Sequence, residues 1–169
     1  MFPFFRRKSI QGPMNEEMFW NLLGLFNWAK QGDDNSVMEP AVAALSQMGV
    51  EDIKEFQEIL AQKLYDLDTE DHAREIGECS YREKNNKFSS DQFLYQRCVA
   101  LVNGRKFYDQ ALGDPKKMPK DSEFESLLYL APMAYERKTK QEWDGLTKVS
   151  FESGSNQIGW SKINKRKEK

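Results

Sequence analysis

The sequence predicts an all-α fold: a single compact domain of five or six helices with a basic, mobile C-terminal tail. Apolar side chains recur at the three- and four-residue spacing of helices in several segments, and two capping-box patterns precede such segments. The sequence contains no convincing β-hairpin pattern. The chain has 169 residues, of which 39% are hydrophobic and 31% charged, a composition typical of one globular domain.

Charge divides the sequence into three parts. Residues 1–13 carry +3 and residues 161–169 carry +4, so the total net charge of −2 leaves −9 for residues 14–160. We predict a flexible leader at 1–13, a helical domain at 14–152 and a basic tail at 153–169. An acidic body of this kind repels nucleic acid and attracts basic partners.

The leader does not have the order of a secretory signal, because its aromatic residues precede its positive charges. An alternative interpretation is a weak membrane-surface anchor formed by Phe2, Phe4 and Phe5. The sequence contains no apolar run of about 18 residues, so it predicts no membrane span. We therefore expect a cytoplasmic protein.

The first two helices are predicted from apolar spacing and from a capping residue. Asn15 is suited to the N-cap of a helix whose apolar positions include Phe19 and Phe26. Turn-forming residues at 31–35 end this helix. A second helix is predicted from Val37 to Met48.

The clearest helix follows Gly49. Its apolar positions are three or four residues apart and so lie on one face: Ile53, Phe56, Leu60, Leu64 and Leu67. The pattern predicts a helix that continues to Ile76 and ends at Gly77, with a kink at residues 68–71 as an alternative.

Two capping-box patterns introduce later helices. Ser89 to Gln92 precedes one helix, and Asn103-Gly104 indicates either a break or a close helix contact within it. Ser122 to Glu125 precedes another helix, which Pro132 is expected to kink or end.

The C-terminal part carries a weaker signal. The apolar residues beyond position 138 that are candidates to pack against the body are Trp143, Leu146, Val149 and Phe151. Ser153-Gly-Ser-Asn156 is typical of a linker, and the basic residues after it are expected to be mobile. A nucleic-acid accessory role is one alternative function, with the tail on phosphates and Trp160 stacked on a base.

The strongest functional clue is the acidic outer surface of the third predicted helix. Residues 51–78 carry ten acidic and three basic side chains, a net charge of −7. Like charges at helical spacing cost stability, but such a surface speeds capture of a basic partner. The predicted partner-binding residues are Glu51, Asp52, Glu55, Glu58, Asp66, Asp68, Glu70, Asp71 and Glu75. A solvated helix face without function is the alternative.

The sequence carries no common catalytic signature: no GxSxG, P-loop, GxGxxG or HExxH pattern. We therefore predict a non-enzymatic protein without catalytic residues, cofactor or metal site. The lone histidine, His72, is expected to be solvated or salt-bridged, and Cys79 and Cys98 to be buried free thiols. The acidic run at 66–71 lacks the glycine and the terminal glutamate of a calcium loop.

Short segments between residues 14 and 140 carry a family resemblance: Met14–Trp20, Glu51–Ile53, Phe56–Gln57, Ser89–Phe93, Tyr95, Arg97, Gly104–Arg105, Tyr108, Ala111–Leu112 and Asp114–Pro115. On these residues the sequence resembles the bacterial family known as domain of unknown function 4240. The resemblance implies an all-α fold and a bacterial origin, but the family supplies no established activity. By analogy, small acidic bacterial proteins include toxin-neutralising partners.

Three polar residues in the resembling region form a second candidate site: Asp91, Arg97 and Arg105. Asp91 is a candidate helix cap, and the two arginines are eight residues apart, so they share a face if their helix is continuous. One interpretation is a salt-bridge network with Asp91 and Asp114. The other is a pocket for a small anionic ligand, or a cryptic enzyme site.

The leading functional hypothesis is a non-enzymatic protein-binding module that takes a basic partner on its acidic helix face. An immunity protein that neutralises a basic toxin is one form of this hypothesis. Nucleic-acid binding through the tail and anionic-ligand binding at Asp91, Arg97 and Arg105 are the two alternatives.

Overall fold

The computed structural model describes residues 12–84 and 87–161. Within these ranges the chain forms seven α-helices and no strand, so the all-α prediction is confirmed and the helix count exceeds five or six. The helices are α1 (Glu16–Leu23), α2 (Asp34–Gln47), α3 (Val50–Asp66), α4 (Glu70–Ala73), α5 (Ser90–Val102), α6 (Arg105–Gly113) and α7 (Leu130–Thr139). Shorter 3-10 helices span Trp28–Lys30, Pro115–Lys117 and Glu125–Tyr129. No helix in this described part combines the length and the apolar character that crossing a bilayer requires.

Side-chain caps fix where four of the helices begin. Asn15, Asp33, Thr69 and Ser89 each accept a hydrogen bond from the backbone N–H three residues later. Such a cap satisfies one of the N–H groups that a helix leaves without a partner in its first turn. The predicted cap at Asn15 is confirmed, whereas Ser89 rather than Asp91 caps α5.

The hydrophobic core lies where α2, α3, α5 and α7 meet. The closest packing joins α2 to α7, and α3 contacts both α7 and α5. All five predicted apolar positions of α3 are completely buried. Phe19 of α1 packs on Phe56 of α3, with ring centroids 4.9 Å apart. The apolar stripe that predicted α3 is therefore the face that anchors it.

The prediction that the third helix continues to Ile76 is wrong, because α3 ends at Asp66 and the short α4 follows. Side chains from α5, α6 and the C-terminal segment donate to the last carbonyls of α3: Tyr108 to Lys63 O (3.2 Å), Arg97 to Leu64 O (2.6 Å) and Asn156 to Tyr65 O (3.1 Å). A helix end leaves its final carbonyls without intrahelical partners, and these donors satisfy them.

A glycine separates α5 from α6. Gly104 has a φ of +93°, a left-handed conformation that favours glycine and interrupts the helix. The break at Asn103-Gly104 is confirmed, so the continuous helix that would place Arg97 and Arg105 on one face is not formed. Arg97 is buried in the interior, whereas Arg105 is exposed.

The second predicted capping box does not start an α-helix directly. The Ser122 hydroxyl donates to Gln96 Oε1 at 3.1 Å instead of capping a helix, and a 3-10 helix follows. Pro132 lies in the first turn of α7, where its missing N–H breaks no intrahelical bond. Because of this position α7 continues to Thr139 without ending early.

The chain after α7 lies against the helical body as an irregular segment, which we call the strap (residues 143–160). Trp143 and Phe151 pack against the core as predicted, whereas Leu146 is 95% exposed. The linker interpretation of Ser153-Gly-Ser-Asn156 is wrong, because these residues hydrogen-bond to α3, α5 and the turn after α3. The ordered domain therefore continues past residue 152, while the basic residues from Lys162 onward lie outside the described chain.

Candidate functional site

The nine predicted partner-binding acids divide into buried and accessible groups. Asp68 and Glu70 are 0% and 1% exposed, so a partner cannot reach them on the surface. Glu70 accepts a hydrogen bond from Arg74 Nε at 2.8 Å, which pairs its charge inside α4 and the following turn. The acidic face is therefore interrupted after α3.

Asp52 and Glu75 have partners elsewhere in the fold. The Asp52 carboxylate accepts from the backbone N–H of Gly49 at 3.0 Å and of Met14 at 2.8 Å, so it joins the start of α3 to the segment before α1. Glu75 lies 3.8 Å from the ammonium of Lys120. The Asp52 carboxylate is therefore engaged in the fold, and a neighbouring lysine offsets the charge of Glu75 at the surface.

The three acids Glu51, Glu55 and Glu58 share one face of α3. Their separations of four and three residues place the side chains next to one another on a helix. Together with the loop at 143–148 and with Lys54 and Gln57, they line a groove of about 420 Å³, which we call the acidic groove. Asp66 and Asp71 lie outside it.

The acidic groove carries an excess of negative charge. Its lining includes four carboxylates and two ammonium groups, a net charge of −2: Glu51, Glu55, Glu58 and Asp144 against Lys54 and Lys148. The Glu58 carboxylate accepts from the backbone N–H of Lys148 at 3.2 Å, which fastens the loop to α3. Glu55 makes no ion pair or hydrogen bond with any residue in the described ranges. Glu51 lies 3.7 Å from the ammonium of Lys54 on the same helix. Of the three α3 carboxylates, Glu58 is therefore bonded to the loop, Glu51 is near a lysine, and Glu55 is available.

Sequence reasoning assigned only the three glutamates to a site, and Gln57 and Trp143 are among the groove residues that it missed. Gln57 is only 4% exposed, and its side-chain oxygen has no hydrogen-bond partner within the described part of the chain. Trp143, predicted only as a core contact, packs edge-on against Tyr135 with ring centroids 5.2 Å apart. A signal for Gln57 existed, since it occupies a buried helical position between Ile53 and Leu60.

Two buried charges lie beneath the strap. Asp68, between α3 and α4, accepts hydrogen bonds from three donors of the strap: Gly154 N (3.0 Å), Asn156 N (2.9 Å) and Trp160 Nε1 (2.9 Å). A buried carboxylate is tolerated when donors replace its lost hydration. Asp68 is therefore a binding point for the strap within the protein.

Arg97 holds the strap from the other side. Its guanidinium donates to Phe151 O at 3.0 Å and to Ser153 Oγ at 2.9 Å, in addition to the α3 carbonyl. Burial lowers the pKa of Arg97 to about 10, and the carboxylate of Asp68 opposes that shift. The guanidinium therefore stays charged at neutral pH, and its hydrogen bonds are all within the protein.

The second candidate site of the sequence is not assembled. Arg97 lies in the interior with carbonyl and hydroxyl partners, Arg105 is on the surface 3.7 Å from Asp109, and Asp91 is exposed at the start of α5. The three side chains do not converge on one pocket.

A family model described as "Protein of unknown function (DUF4240)" matches residues 14–137. The chain belongs to the DUF4240 family. No curated protein and no solved structure matches the chain. The DUF4240 match includes α3, Asp68 and Arg97 but ends before the strap. The acidic groove thus combines a helix of the DUF4240 region with a loop outside it.

Trp160, the residue proposed for base stacking, is part of the packed structure of this DUF4240 protein. Its ring contacts Tyr81, Phe88 and Phe93 at centroid distances of 5.7, 6.2 and 6.0 Å, and its indole N–H bonds to Asp68. Stacking on a base would require the ring to leave this cluster.

The two thiols of the described chain are separate from the acidic groove. No group of three or more His, Cys, Asp or Glu side chains within those residues is placed to hold a metal ion. Cys79 and Cys98 are both free, as predicted, but only Cys98 is fully buried. Burial raises the pKa of Cys98 to about 12, so its thiol is not activated as a nucleophile.

The expectation that His72 is solvated or salt-bridged is wrong. The ring is buried, with Nε2 3.0 Å from Ala111 O and Nδ1 2.7 Å from Thr69 Oγ1. Since a carbonyl only accepts, Nε2 carries the proton and Nδ1 accepts from the threonine hydroxyl. Burial lowers the pKa of His72 below its ordinary value of 6.5.

This pKa shift predicts a loss of stability in mild acid. Between the lowered folded pKa and the unfolded value, the unfolded chain binds the proton more strongly, so the free energy of unfolding falls as pH drops below about 6.5. Urea midpoints at pH 7.5 and pH 5.5 should therefore differ more for the natural chain than for His72→Gln, which keeps a donor for Ala111. Equal acid losses in both proteins would show that His72 does not contribute.

Proposed function

We propose that the protein is a non-enzymatic binding module that holds a partner with a basic surface in the acidic groove. The observation that carries this proposal is the carboxylate of Glu55, which has no ion-pair or hydrogen-bond partner among the described residues, with Glu51 and Glu58 beside it on one helix face. Neighbouring like charges cost stability, and a surface of this kind speeds the association of an oppositely charged partner.

The loop side of the groove supports the same proposal. Leu146 lines the groove and is 95% exposed. Single exposed leucines are common, but interfaces combine an apolar contact with surrounding polar groups, and this side chain lies beside the carboxylates. A basic partner with a small apolar patch fits both features.

A toxin with a basic surface is one kind of partner that fits the acidic groove. If the partner is such a toxin, the protein is an immunity protein. In that case the captured protein arrests cell growth when it is expressed alone, and co-expression of this chain restores growth. The groove variants described next should fail to restore growth while they remain folded.

Charge reversal in the groove tests the proposal directly. Glu51→Lys/Glu55→Lys replaces two exposed acids and leaves the bond from Glu58 to the loop intact. We expect partner affinity to fall by about tenfold or more, because attraction becomes repulsion across the interface. Affinity capture from cells of the source organism would supply the partner, and surface plasmon resonance at two salt concentrations would give the dissociation constants.

The matched control is Asp109→Lys/Glu123→Lys, which reverses two exposed acids outside the groove. Both variants should keep the circular dichroism spectrum and the urea midpoint of the natural chain within a small margin. Retained, salt-insensitive binding by the groove variant would overturn the proposal, as would equal losses in the groove and control variants.

A further inference from the structure

We propose that the acidic groove recognises an arginine side chain of the partner, with the guanidinium held between the α3 carboxylates, Gln57 and Trp143. This inference rests on the proposed function and gives the chemistry of its ligand. Glu51 and Glu55 are exposed acceptors on one wall of the groove. An arginine presents five N–H donors in a planar fork that matches carboxylate geometry, so it can satisfy several separate acceptors at once.

Gln57 supplies the second observation. Its side chain lines the groove and is 4% exposed, yet its oxygen has no hydrogen-bond partner in the described residues. An unpaired buried acceptor costs free energy that a donor can recover. The terminal torsion of a glutamine is soft, so the amide can turn its oxygen toward a donor that enters the groove. Carboxylates and an amide oxygen are all hydrogen-bond acceptors, so they favour a ligand group that has only hydrogen-bond donors.

Trp143 supplies an aromatic surface in the same groove. Its ring is held by Tyr135 on one side, and Gly145 of the loop lies directly against it. A guanidinium next to a fixed indole gains both cation–π attraction and planar stacking. The protein already uses this combination internally, since Arg74 hydrogen-bonds to Glu70 while its guanidinium lies 5.2 Å from the centre of the Tyr81 ring.

Other cations fit the groove less well. The described acids are not clustered as metal ligands, so a bare divalent ion lacks a coordination shell here. A lysine ammonium is a compact, strongly hydrated charge and cannot spread its donors over a row of acceptors. The geometry therefore favours arginine over lysine at the same net charge.

Nuclear magnetic resonance with blocked amino acids tests this inference on the full chain. The probe is N-acetyl-arginine amide, and the comparisons are N-acetyl-lysine amide and the uncharged isostere N-acetyl-citrulline amide. We expect saturable shifts of the Trp143 indole N–H and the Gln57 amide group, with arginine bound about threefold more tightly than lysine or better. Citrulline should cause no saturable shift.

Two variants separate the contributions of charge and ring. Glu55→Gln removes a carboxylate, and Gly145→Ala adds a methyl group that displaces the Trp143 ring without changing any charge. Each should weaken arginine binding, and Gly145→Ala should in addition abolish the preference over lysine. Equal binding of arginine and lysine, or no response at Trp143, would overturn the arginine site. If a partner is nevertheless lost on Glu51→Lys/Glu55→Lys, the proposed function stands without it.

Discussion

Replacement of Asp68 by alanine is expected to lower the free energy of unfolding by about 3–5 kcal/mol, the range for removing one partner from a buried charged network. The substitution leaves the backbone N–H groups of Gly154 and Asn156 and the indole N–H of Trp160 without their acceptor. It also removes the carboxylate that most favours the charged form of the buried Arg97. Urea unfolding monitored by tryptophan fluorescence would measure the loss.

The same variant should release the strap before the helices unfold. Limited proteolysis is therefore expected to cleave Asp68→Ala between residues 143 and 160 under conditions in which the natural chain resists. Asp66→Ala is the matched control, because Asp66 is only two residues away but is half-buried and accepts one exposed hydrogen bond from Gln62 at 2.7 Å. Similar destabilisation of the two variants would contradict the role given to Asp68.

The end of α3 shows where prediction from sequence reaches its limit. Local spacing predicted the helix start and its buried face, because the apolar period is a property of adjacent turns. The helix end depends on donors that are distant in sequence, with Arg97, Tyr108 and Asn156 bonding to its last carbonyls. Nothing in residues 60–76 alone specifies these contacts.

The same distinction applies to the candidate site. The excess of acids on α3 was readable from composition, and Glu51, Glu55 and Glu58 do line the groove. Asp68 and Glu70 looked identical to them in sequence but are buried, because partners from the strap and from Arg74 replace their hydration. The loop wall was not predictable, since an irregular segment carries no period that would place Trp143 beside α3.

A linker pattern likewise predicted mobility where the structure has a binding point. Glycine favours turns because it adopts unusual backbone angles, and serine and asparagine favour them because their side chains bond to nearby backbone groups. In this segment the backbone N–H groups of Gly154 and Asn156 reach one carboxylate. A buried acceptor elsewhere in the chain decides between the two outcomes. The sequence shows the adaptable segment but does not show that acceptor.

Arg97→Met is expected to lower the free energy of unfolding by about 3–5 kcal/mol as well, because it removes the buried cation whose charge opposes that of Asp68. Three acceptors lose their donor: Leu64 O, Phe151 O and Ser153 Oγ. Arg97→Lys should cost less, since it keeps the charge, but it cannot span all three acceptors with one ammonium. Guanidinium chloride unfolding midpoints at pH 7 should decrease from the natural chain to Arg97→Lys and then to Arg97→Met.

The double variant Asp68→Ala/Arg97→Met decides whether the two charges act as one unit. Asp68 and Arg97 both bind the strap. Each single substitution leaves the other charge buried without its opposite charge, and the double variant removes both charges. The double variant should therefore lose about 1–3 kcal/mol less than the sum of the single losses. Additivity within about 0.5 kcal/mol would mean that Asp68 and Arg97 stabilise the strap independently. Non-additive losses that coincide with proteolytic release of residues 143–160 would identify the pair as the element that fixes the loop wall of the acidic groove.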